Sequence, residues 1–267
     1  MPSEPSGAAP GEPEIQPETL AVPDGATIAY HSSPGKGPGV VFLGGFRSDM
    51  TGTKAMALEA HCRKQGRAFL RFDYTGHGAS SGAFVDGTIG RWADDALAVL
   101  DQLTQGPQVL VGSSMGGWIM LLVARARPGR IAGLLGLAAA PDFTEDLIPK
   151  ELTPGQMTDV MEKGLVTIPN CYDPDDPYQI THALLEDGRN HLLLRAPLPI
   201  TCPVRLIQGM KDADVPWQTA LRIQEKLASE DVEITLAKGA DHRLSEPHDI
   251  ARLTNVLDQL LARIEGA

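Results

Sequence analysis

The sequence predicts an α/β domain in which helices cover both faces of a mostly parallel, doubly wound sheet. Short apolar segments without polar alternation recur along the chain, as is typical of strands buried on both faces. Segments with apolar residues at helical spacing separate these strands. The chain has 267 residues and is long enough to bury the core that such a domain needs. Domains of this class bind ligands at the carboxyl ends of their strands.

The predicted elements alternate regularly over most of the chain. Strands are predicted at residues 27–33, 39–44, 68–74, 108–113, 131–140, 204–210 and 232–239. Helices are predicted at residues 53–66, 89–103, 117–128, 217–229 and 246–264. The alternation breaks at residues 141–200, the inserted segment, where prolines and acidic residues are frequent. Because long insertions after a strand end are commonly functional, we predict that this segment forms a cap over the site.

Charge and composition argue against several classes of protein. The formal net charge of −11 opposes binding to nucleic acids or to anionic lipid. No run of 18 apolar residues predicts a membrane span. Residues 1–19 hold four Glu, no Lys or Arg, and much Pro and Gly, which predicts a disordered tail before a domain over residues 20–267. The tail has the pattern of neither a secretory signal nor a mitochondrial presequence, so a cytoplasmic location is expected.

Neither a metal nor a cofactor is predicted. The cysteines Cys62, Cys171 and Cys202 are odd in number and lack CxxC spacing, which predicts free thiols in a reducing compartment. The glycine-rich stretch DYTGHG at residues 73–78 does not match the GxGxxG pattern of dinucleotide sites. The sequence predicts no particular oligomeric state.

The stretch GSSMG at residues 112–116 matches the G-x-S-x-G pattern in the context that the pattern requires, with a strand before it and a helix after it. The central residue of such a turn adopts a backbone conformation hostile to side chains, so small neighbours are needed two positions away. Gly112 and Gly116 meet this need. We therefore predict that Ser114 is a nucleophile at the start of a helix, and that Ser113 is a hydrogen-bonded turn residue.

A serine nucleophile needs a base, and the base needs an orienting acid. Asp212 follows the apolar strand VRLIQ, 98 residues after Ser114, and His242 follows the last predicted strand 30 residues later. The order Ser, Asp, His is the one expected when all three lie on loops at one edge of the sheet. The sequence therefore predicts a catalytic triad of Ser114, Asp212 and His242.

Other acids and histidines leave alternatives open. Asp214 lies two residues after Asp212, and Asp142 follows the strand that ends near residue 140. Either carboxylate is an alternative orienting acid. Asp241 is interpreted as a loop cap. A structural role is favoured for the remaining candidates, His77 in its glycine-rich loop and His248 at the start of the last helix.

Backbone N–H groups are predicted to stabilise the oxyanion of the reaction. One is the N–H of Met115, directly after the nucleophile. Residues 44–45 are glycines that allow a close backbone approach, and the following N–H, of Phe46, is the second candidate. Four residues are candidates for an acyl pocket or, alternatively, for packing between cap and core: Phe46, Met50, Met115 and Trp118.

The chain resembles the α/β-hydrolase-fold serine hydrolases. More closely, it is similar to the subfamily of mitochondrial palmitoyl-protein thioesterases, also described as acyl-glucuronide esterases. The resemblance covers about residues 27–263 and is strongest in GTKAMALEAHC, RFDYTGHGASSG, QVLVGSSMGGW, CPVRLIQGMKDADVPW and DHR. It implies the α/β-hydrolase fold, and it implies a catalytic triad on Ser114, Asp212 and His242.

The predicted function is hydrolysis of carboxylic esters or thioesters through an acyl-enzyme on Ser114, with a small molecule or an acylated protein as substrate. A carbon–carbon bond hydrolase or a perhydrolase would use the same triad and remains an alternative. A non-catalytic binding protein on this scaffold is the other alternative, although such a protein would normally have lost one of the three residues.

Overall fold

An eight-stranded sheet forms the centre of the protein in a computed structural model that describes residues 16–23, 25–169 and 177–266. The strands are β1 (Glu18–Ala21), β2 (Thr27–Ser33), β3 (Lys36–Leu43), β4 (Arg67–Phe72), β5 (Gln108–Ser113), β6 (Ile131–Leu137), β7 (Leu165–Ile168), β8 (Tyr178–Thr181), β9 (Val204–Gly209) and β10 (Val232–Ala237). The central sheet has the order β1-β2-β4-β3-β5-β6-β9-β10, while β7 and β8 form a separate antiparallel pair. Strands β4, β3, β5, β6, β9 and β10 run parallel, and β1 and β2 extend the sheet with antiparallel pairing.

Helices cover both faces of this sheet. They are α1 (Thr53–Lys64), α2 (Ile89–Leu103), α3 (Met115–Ala126), α4 (Phe143–Asp146), α5 (Ile148–Glu151), α6 (Pro154–Lys163), α7 (His182–Arg189), α8 (Gln218–Lys226) and α9 (Pro247–Glu265). Alternate residues of β3 belong to different cores: Val41 packs with residues of α2, α3 and α8, and Val40 packs with residues of α1 and α9. The predicted doubly wound α/β class is therefore confirmed.

The strand that precedes the inserted segment ends earlier than predicted. The apolar run at 131–140 predicts one strand, but β6 ends at Leu137. Ala138 adopts a φ of 46°, which turns the chain out of the sheet, and its N–H donates to the carbonyl of Ile207. Buried alanines suit a tight turn as well as a strand, so apolarity alone did not mark this boundary.

Part of the predicted tail belongs to the sheet. β1 begins at Glu18, within the range 1–19 that composition predicts as disordered, and pairs with β2 from Glu18 to Ala21. The side chains of β1 are largely exposed, so the strand has little apolar signal and is held by backbone pairing. Residues 1–15 of the predicted tail lie outside the described residues.

The inserted segment is tied together at its base by one buried carboxylate. Asp142 is completely buried, and its two oxygens accept the N–H groups of Leu193 at 2.7 Å and Leu194 at 2.9 Å. Between these points lie α4 to α7 and the β7–β8 hairpin, which the sequence pattern does not predict. Asp142 therefore joins the two ends of the segment, and both of its oxygens are occupied by this role rather than by an imidazole.

The described cysteines have unreactive environments. Cys62 and Cys202 are free thiols, and Cys171 lies outside the described residues. Burial raises the pKa of Cys62 to about 12 and the pKa of Cys202 to about 11, so both are protonated at neutral pH. Among the described helices, none is both long and apolar enough to cross a membrane.

We predict that Asp142→Ala lowers the free energy of unfolding by about 2 kcal/mol, because two buried N–H groups lose their acceptor. The matched control is Asp159→Ala in α6 of the same segment, where the carboxylate is exposed and pairs with the exposed Lys163. This control should change stability by less than about 0.5 kcal/mol. Urea unfolding at pH 7 measures both, and equal stabilities of the two variants would contradict the role assigned to Asp142.

Candidate active site

Ser114 occupies a strained turn between β5 and α3. Its φ of 54° and ψ of −118° are disfavoured for a residue with a side chain. A Cβ on Gly112 would collide with the backbone of Gly116, and a Cβ on Gly116 would collide with the carbonyl of Leu43. The two glycines therefore permit the turn, as the sequence predicts. The Ser114 N–H donates to the Leu137 carbonyl at 2.9 Å, which fixes the turn against β6.

The structure brings Ser114, His242 and Asp212 into one hydrogen-bonded chain. The Nε2 atom of His242 lies 3.0 Å from the Oγ of Ser114, and its Nδ1 lies 2.8 Å from Oδ2 of Asp212. The three residues are separated by 98 and 30 positions in the sequence and come from three loops at the carboxyl edge of the sheet. An imidazole held in this way can accept the serine proton while the carboxylate stabilises the resulting positive charge.

The Asp212 carboxylate is fully buried and held by groups besides the imidazole. Its Oδ1 accepts the N–H groups of Asp214 at 2.9 Å and Val215 at 2.8 Å. Its Oδ2 also accepts Nε2–H of Gln208 at 2.8 Å, a contact that the sequence analysis did not predict. The signal available was a buried glutamine inside the apolar strand VRLIQG, because buried amides need partners. These bonds fix the carboxylate towards His242.

Two backbone N–H groups that border the Ser114 cavity have no acceptor within the described part of the chain. Met115 is the first residue of α3, so its N–H has no intrahelical partner. Phe46 lies in a turn closed by the Ser48 N–H, which donates to the Gly45 carbonyl at 3.2 Å. Among the described residues, no acceptor is recorded for the Phe46 N–H. Both residues line the same cavity as Ser114, in keeping with the predicted oxyanion donors.

A cavity of about 490 Å³ opens over these groups, a volume typical of small-molecule sites. Its apolar lining comes largely from the inserted segment: Phe143, Leu147, Ile148, Ile168, Tyr178 and Ile180. Its polar lining comes mainly from the loop after β3, from the start of α1 and from the loop after β10, with two acids added from α5 and the loop after β9: Arg47, Ser48, Asp49, Thr53, Lys54, Arg243, Ser245, Glu151 and Asp214. The inserted segment thus builds most of the apolar wall, and other parts of the chain build most of the polar wall.

Comparison with known proteins gives the family. A profile described as the alpha/beta hydrolase family matches residues 40–253. The chain belongs to the alpha/beta hydrolase family. It is 40% identical over 245 residues to the human mitochondrial palmitoyl-protein thioesterase ABHD10, covering 91% of this chain and 79% of that protein. The resemblance predicted from the sequence is therefore confirmed.

Solved structures agree with this assignment. A hydrolase from Agrobacterium vitis S4, titled as putative, superposes with a TM-score of 0.87 at 42% identity, over 92% of this chain and 99% of that one. Mouse alpha/beta hydrolase domain-containing protein 10 superposes with a TM-score of 0.87 at 39% identity, over 94% and 100% of the two chains. Est1E from Butyrivibrio proteoclasticus shares the fold: it superposes with a TM-score of 0.76 at 20% identity, over 91% of this chain and 98% of that one.

Two residues predicted for the acyl pocket of this hydrolase do not line the cavity. Trp118 is completely buried on α3, donates Nε1–H to the His191 carbonyl at 3.0 Å and contacts Phe143 edge to face. It therefore supports the cavity wall from behind. Met50 is also buried, and its N–H donates to Asp73 at 2.7 Å. The other two residues predicted for the acyl pocket, Phe46 and Met115, do line the cavity. Met50 and Trp118 follow them within four positions in the sequence, but their side chains point into the core.

The alternative acids and histidines of the hydrolase have other partners. Asp241 accepts the N–H groups of Arg243 and Leu244 and caps its loop, as predicted. Asp214 lines the cavity, and its N–H donates to Asp212. His248 is exposed on α9. Asp212, Asp214 and His242 present three possible metal ligands within 4.8 Å of one another, but both Asp212 oxygens and the His242 nitrogens already take part in hydrogen bonds.

Lys54 in the cavity wall has an unfavourable environment. It lies in the first turn of α1, where the helix dipole disfavours positive charge, and its ammonium donates to the Arg243 carbonyl. Burial, aided by the nearby Arg243 charge, lowers the pKa of Lys54 to about 8. The sequence analysis did not identify Lys54, because a single lysine at a helix start carries no sign of its burial.

We predict that Lys54→Met stabilises the hydrolase at pH 7 by about 1 kcal/mol or more, because each pKa unit corresponds to about 1.4 kcal/mol. The pKa of Lys54 in the folded protein lies below the unfolded value of about 10.4. The charged ammonium therefore destabilises the wild type to its full extent below pH 8. Its stability rises from about pH 8 to about pH 10, where the unfolded chain binds more protons.

Urea unfolding at pH 7 and pH 9.5 measures this effect. The control Lys64→Met, at an exposed position in the last turn of α1, should change stability by less than about 0.5 kcal/mol at both pH values. A Lys54→Met variant that is less stable than wild type at pH 7, with the wild-type pH slope retained, would contradict the prediction.

Proposed function

We propose that this hydrolase cleaves carboxylic esters or thioesters by two-step acyl transfer through Ser114. The observation that supports this most directly is the hydrogen-bonded chain from Ser114 through His242 to Asp212, set on a strained turn at the start of α3. A serine hydroxyl is a weak nucleophile near neutral pH, and this chain supplies the base and the orienting acid that it needs.

In the first step His242 accepts the Ser114 proton while Oγ attacks the substrate carbonyl. The N–H groups of Met115 and Phe46 stabilise the oxyanion, and each such donor contributes about 3 kcal/mol in the transition state. His242 then protonates the leaving group, which leaves an acyl-enzyme. In the second step His242 takes a proton from water while the hydroxide attacks the acyl carbonyl. The bond to Ser114 Oγ then breaks, His242 returns the proton to Oγ, and the carboxylic acid leaves.

The acyl group is proposed to lie against the apolar wall that the inserted segment provides, so this segment acts as a cap. Phe143, Leu147, Ile148, Ile168 and Ile180 offer aliphatic and aromatic surface for an acyl chain. The relatives named palmitoyl-protein thioesterases support a long acyl chain. The leaving group, an alcohol or a thiol of a small molecule or an acylated protein, is proposed to face the polar wall that contains Lys54 and Arg243.

The triad supports esters and thioesters alike. A thiolate is a stabilised leaving group and needs less protonation by His242 than an alkoxide does. The ABHD10 relatives are named as mitochondrial proteins, so their names do not support the cytoplasmic location predicted for this chain, which stays a prediction.

We predict that a fluorophosphonate probe labels the wild type and that Ser114→Ala abolishes labelling, because the probe reacts with an activated serine. Ser114→Ala should lower kcat for a p-nitrophenyl ester by about 10⁶-fold, and Asp212→Asn by about 10³- to 10⁴-fold, since the acid only orients and stabilises His242. The matched control is Ser113→Ala, which should keep the labelling. Labelling of Ser114→Ala at the wild-type rate would refute the mechanism.

The acyl chain is tested with p-nitrophenyl esters and acyl thioesters from two to sixteen carbons. We expect kcat/KM of the wild type to rise with the length of the acyl chain. In Ile168→Trp the larger side chain fills the space beside the apolar wall, so kcat/KM should fall at least about tenfold for the longest chain and little for acetyl. The control is Met161→Trp on the exposed surface of the same segment. An equal effect of Ile168→Trp on all chain lengths would argue against this acyl site. Labelling without hydrolysis of any ester or thioester would favour the carbon–carbon bond hydrolase.

A further inference from the structure

His77 is a buried imidazole that takes no direct part in the proposed reaction. Only 4% of its surface is exposed. The rings of Tyr74, Phe84 and Trp92 surround it, with centroids 5.6, 5.1 and 5.1 Å away in edge-to-face geometry. Burial lowers the pKa of His77 to about 4, so the ring is neutral at pH 7 and one of its nitrogens is a hydrogen-bond acceptor.

The acceptor nitrogen of His77 faces the loop that holds Phe46. Nε2 lies 3.3 Å from the backbone nitrogen of Arg47 and accepts its N–H. Nδ1 lies 3.4 Å from the Thr75 carbonyl, to which only an Nδ1–H can donate. A single neutral tautomer, with the proton on Nδ1, satisfies both contacts.

The N–H that His77 accepts belongs to the residue with the least favourable backbone conformation in a tight turn. The turn spans residues 45–48 and is closed by the Ser48 N–H and by the Ser48 hydroxyl, which donates to the Gly45 carbonyl at 2.9 Å. Arg47 is its third residue and has a φ of 57°. A positive φ at the third position alone is the mark of a type II turn, which favours glycine there. Arginine adopts it here with the support of an acceptor for its N–H.

The orientation of the peptide between Phe46 and Arg47 distinguishes type II from type I turns. Rotation of that peptide would return Arg47 to a negative φ and move its N–H away from His77. That peptide follows directly on the Cα of Phe46, so the hydrogen bond from the Arg47 N–H to His77 anchors the residue that carries the N–H beside Ser114. The preceding N–H, that of Phe46, is the second oxyanion donor of the proposed mechanism.

We propose that His77 is a positioning residue of the oxyanion hole: by accepting the Arg47 N–H it holds the type II turn that presents the Phe46 N–H to the oxyanion. This rests on the proposed acyl transfer through Ser114. His77 touches neither substrate nor reacting atoms and acts through the backbone of Arg47 alone.

Other hydrogen bonds hold the same loop independently of His77. The carboxylate of Asp73 accepts the N–H of Met50 at 2.7 Å and the N–H of Ala79 at 2.8 Å, which joins the loop after β3 to the loop after β4. Arg71 donates to the Met50 carbonyl at 3.0 Å. These contacts remain when the His77 acceptor is removed, as does the packing of the Arg47 guanidinium 4.8 Å above the Phe84 ring, so the loop stays attached and the loss is confined to the acceptor of the Arg47 N–H.

The test compares variants that separate acceptor from packing. His77→Phe keeps an aromatic ring but removes the acceptor, and His77→Gln places an amide oxygen near the position of Nε2. We expect His77→Phe to lower kcat about 10- to 100-fold with KM within about twofold, because an oxyanion donor acts in the transition state. His77→Gln should lose less than about fivefold. His77→Met, close in shape to Gln but without the amide acceptor, should resemble His77→Phe.

Affinity for an acyl trifluoromethyl ketone provides a readout that a structural role would not move. Its carbonyl carbon bonds to Ser114 Oγ, the serine proton passes to His242, and the oxyanion of the adduct occupies the hole. Across the variants the inhibition constant should rise by the factor by which kcat/KM falls. Adding Arg47→Gly to His77→Phe should recover kcat at least about fivefold, since glycine adopts a positive φ without support.

Thermal unfolding shows whether each variant is folded. If His77→Phe does not fold, the comparison of His77→Gln with His77→Met tests the role of His77. Equal losses for His77→Gln and His77→Met, an effect on KM alone, or an unchanged inhibition constant would each overturn the role of His77. Ser114→Ala, measured alongside, separates the two proposals. If Ser114→Ala hydrolyses esters at the wild-type rate, the proposed function is wrong. If Ser114→Ala is inactive and His77→Phe is unaffected, only the proposal for His77 is wrong.

Discussion

The strained backbone of Ser114 is the constraint on which the rest of the site depends. A residue with positive φ between β5 and α3 is possible only because Gly112 and Gly116 leave room for it, and because the Leu137 carbonyl holds its N–H. Strain of this kind costs about 1–3 kcal/mol, which the surrounding packing has to offset. The parallel sheet supplies that packing, since β3 and β6 flank β5 on both sides. In return the serine hydroxyl stands clear of the sheet at the start of a helix.

The core of the fold and the three residues of the hydrogen-bonded chain were accessible from the sequence. Strand β5 is buried along its whole length because helices cover both of its faces, and its mostly apolar sequence is typical of such a strand. The order and loop positions of Ser114, Asp212 and His242 follow from the topology, since every parallel strand ends at the same edge. Local pattern and global fold agree at these positions.

Other features depend on contacts that spacing does not reveal. Trp118 and Phe46 are both apolar and close to the site, yet only the packing decides that one lies behind the cavity wall and the other on it. The sequence pattern assigns Gln208 to a strand and His77 to a loop. It does not show that Gln208 donates to Asp212 or that His77 accepts the Arg47 N–H. Strand β1 escaped notice because backbone pairing rather than burial holds it.

Asp142 has a consequence for how this scaffold can change. Because its carboxylate accepts the N–H groups of Leu193 and Leu194, the two ends of the inserted segment are joined to each other outside the sheet. Replacement or lengthening of such a loop costs little in chain entropy, and the strands beneath need not move. Evolution can therefore exchange the part that supplies the apolar cavity lining as a module while Ser114, His242 and Asp212 below it stay constant. Grafting the segment from another member of the family onto this base is the corresponding route for engineering.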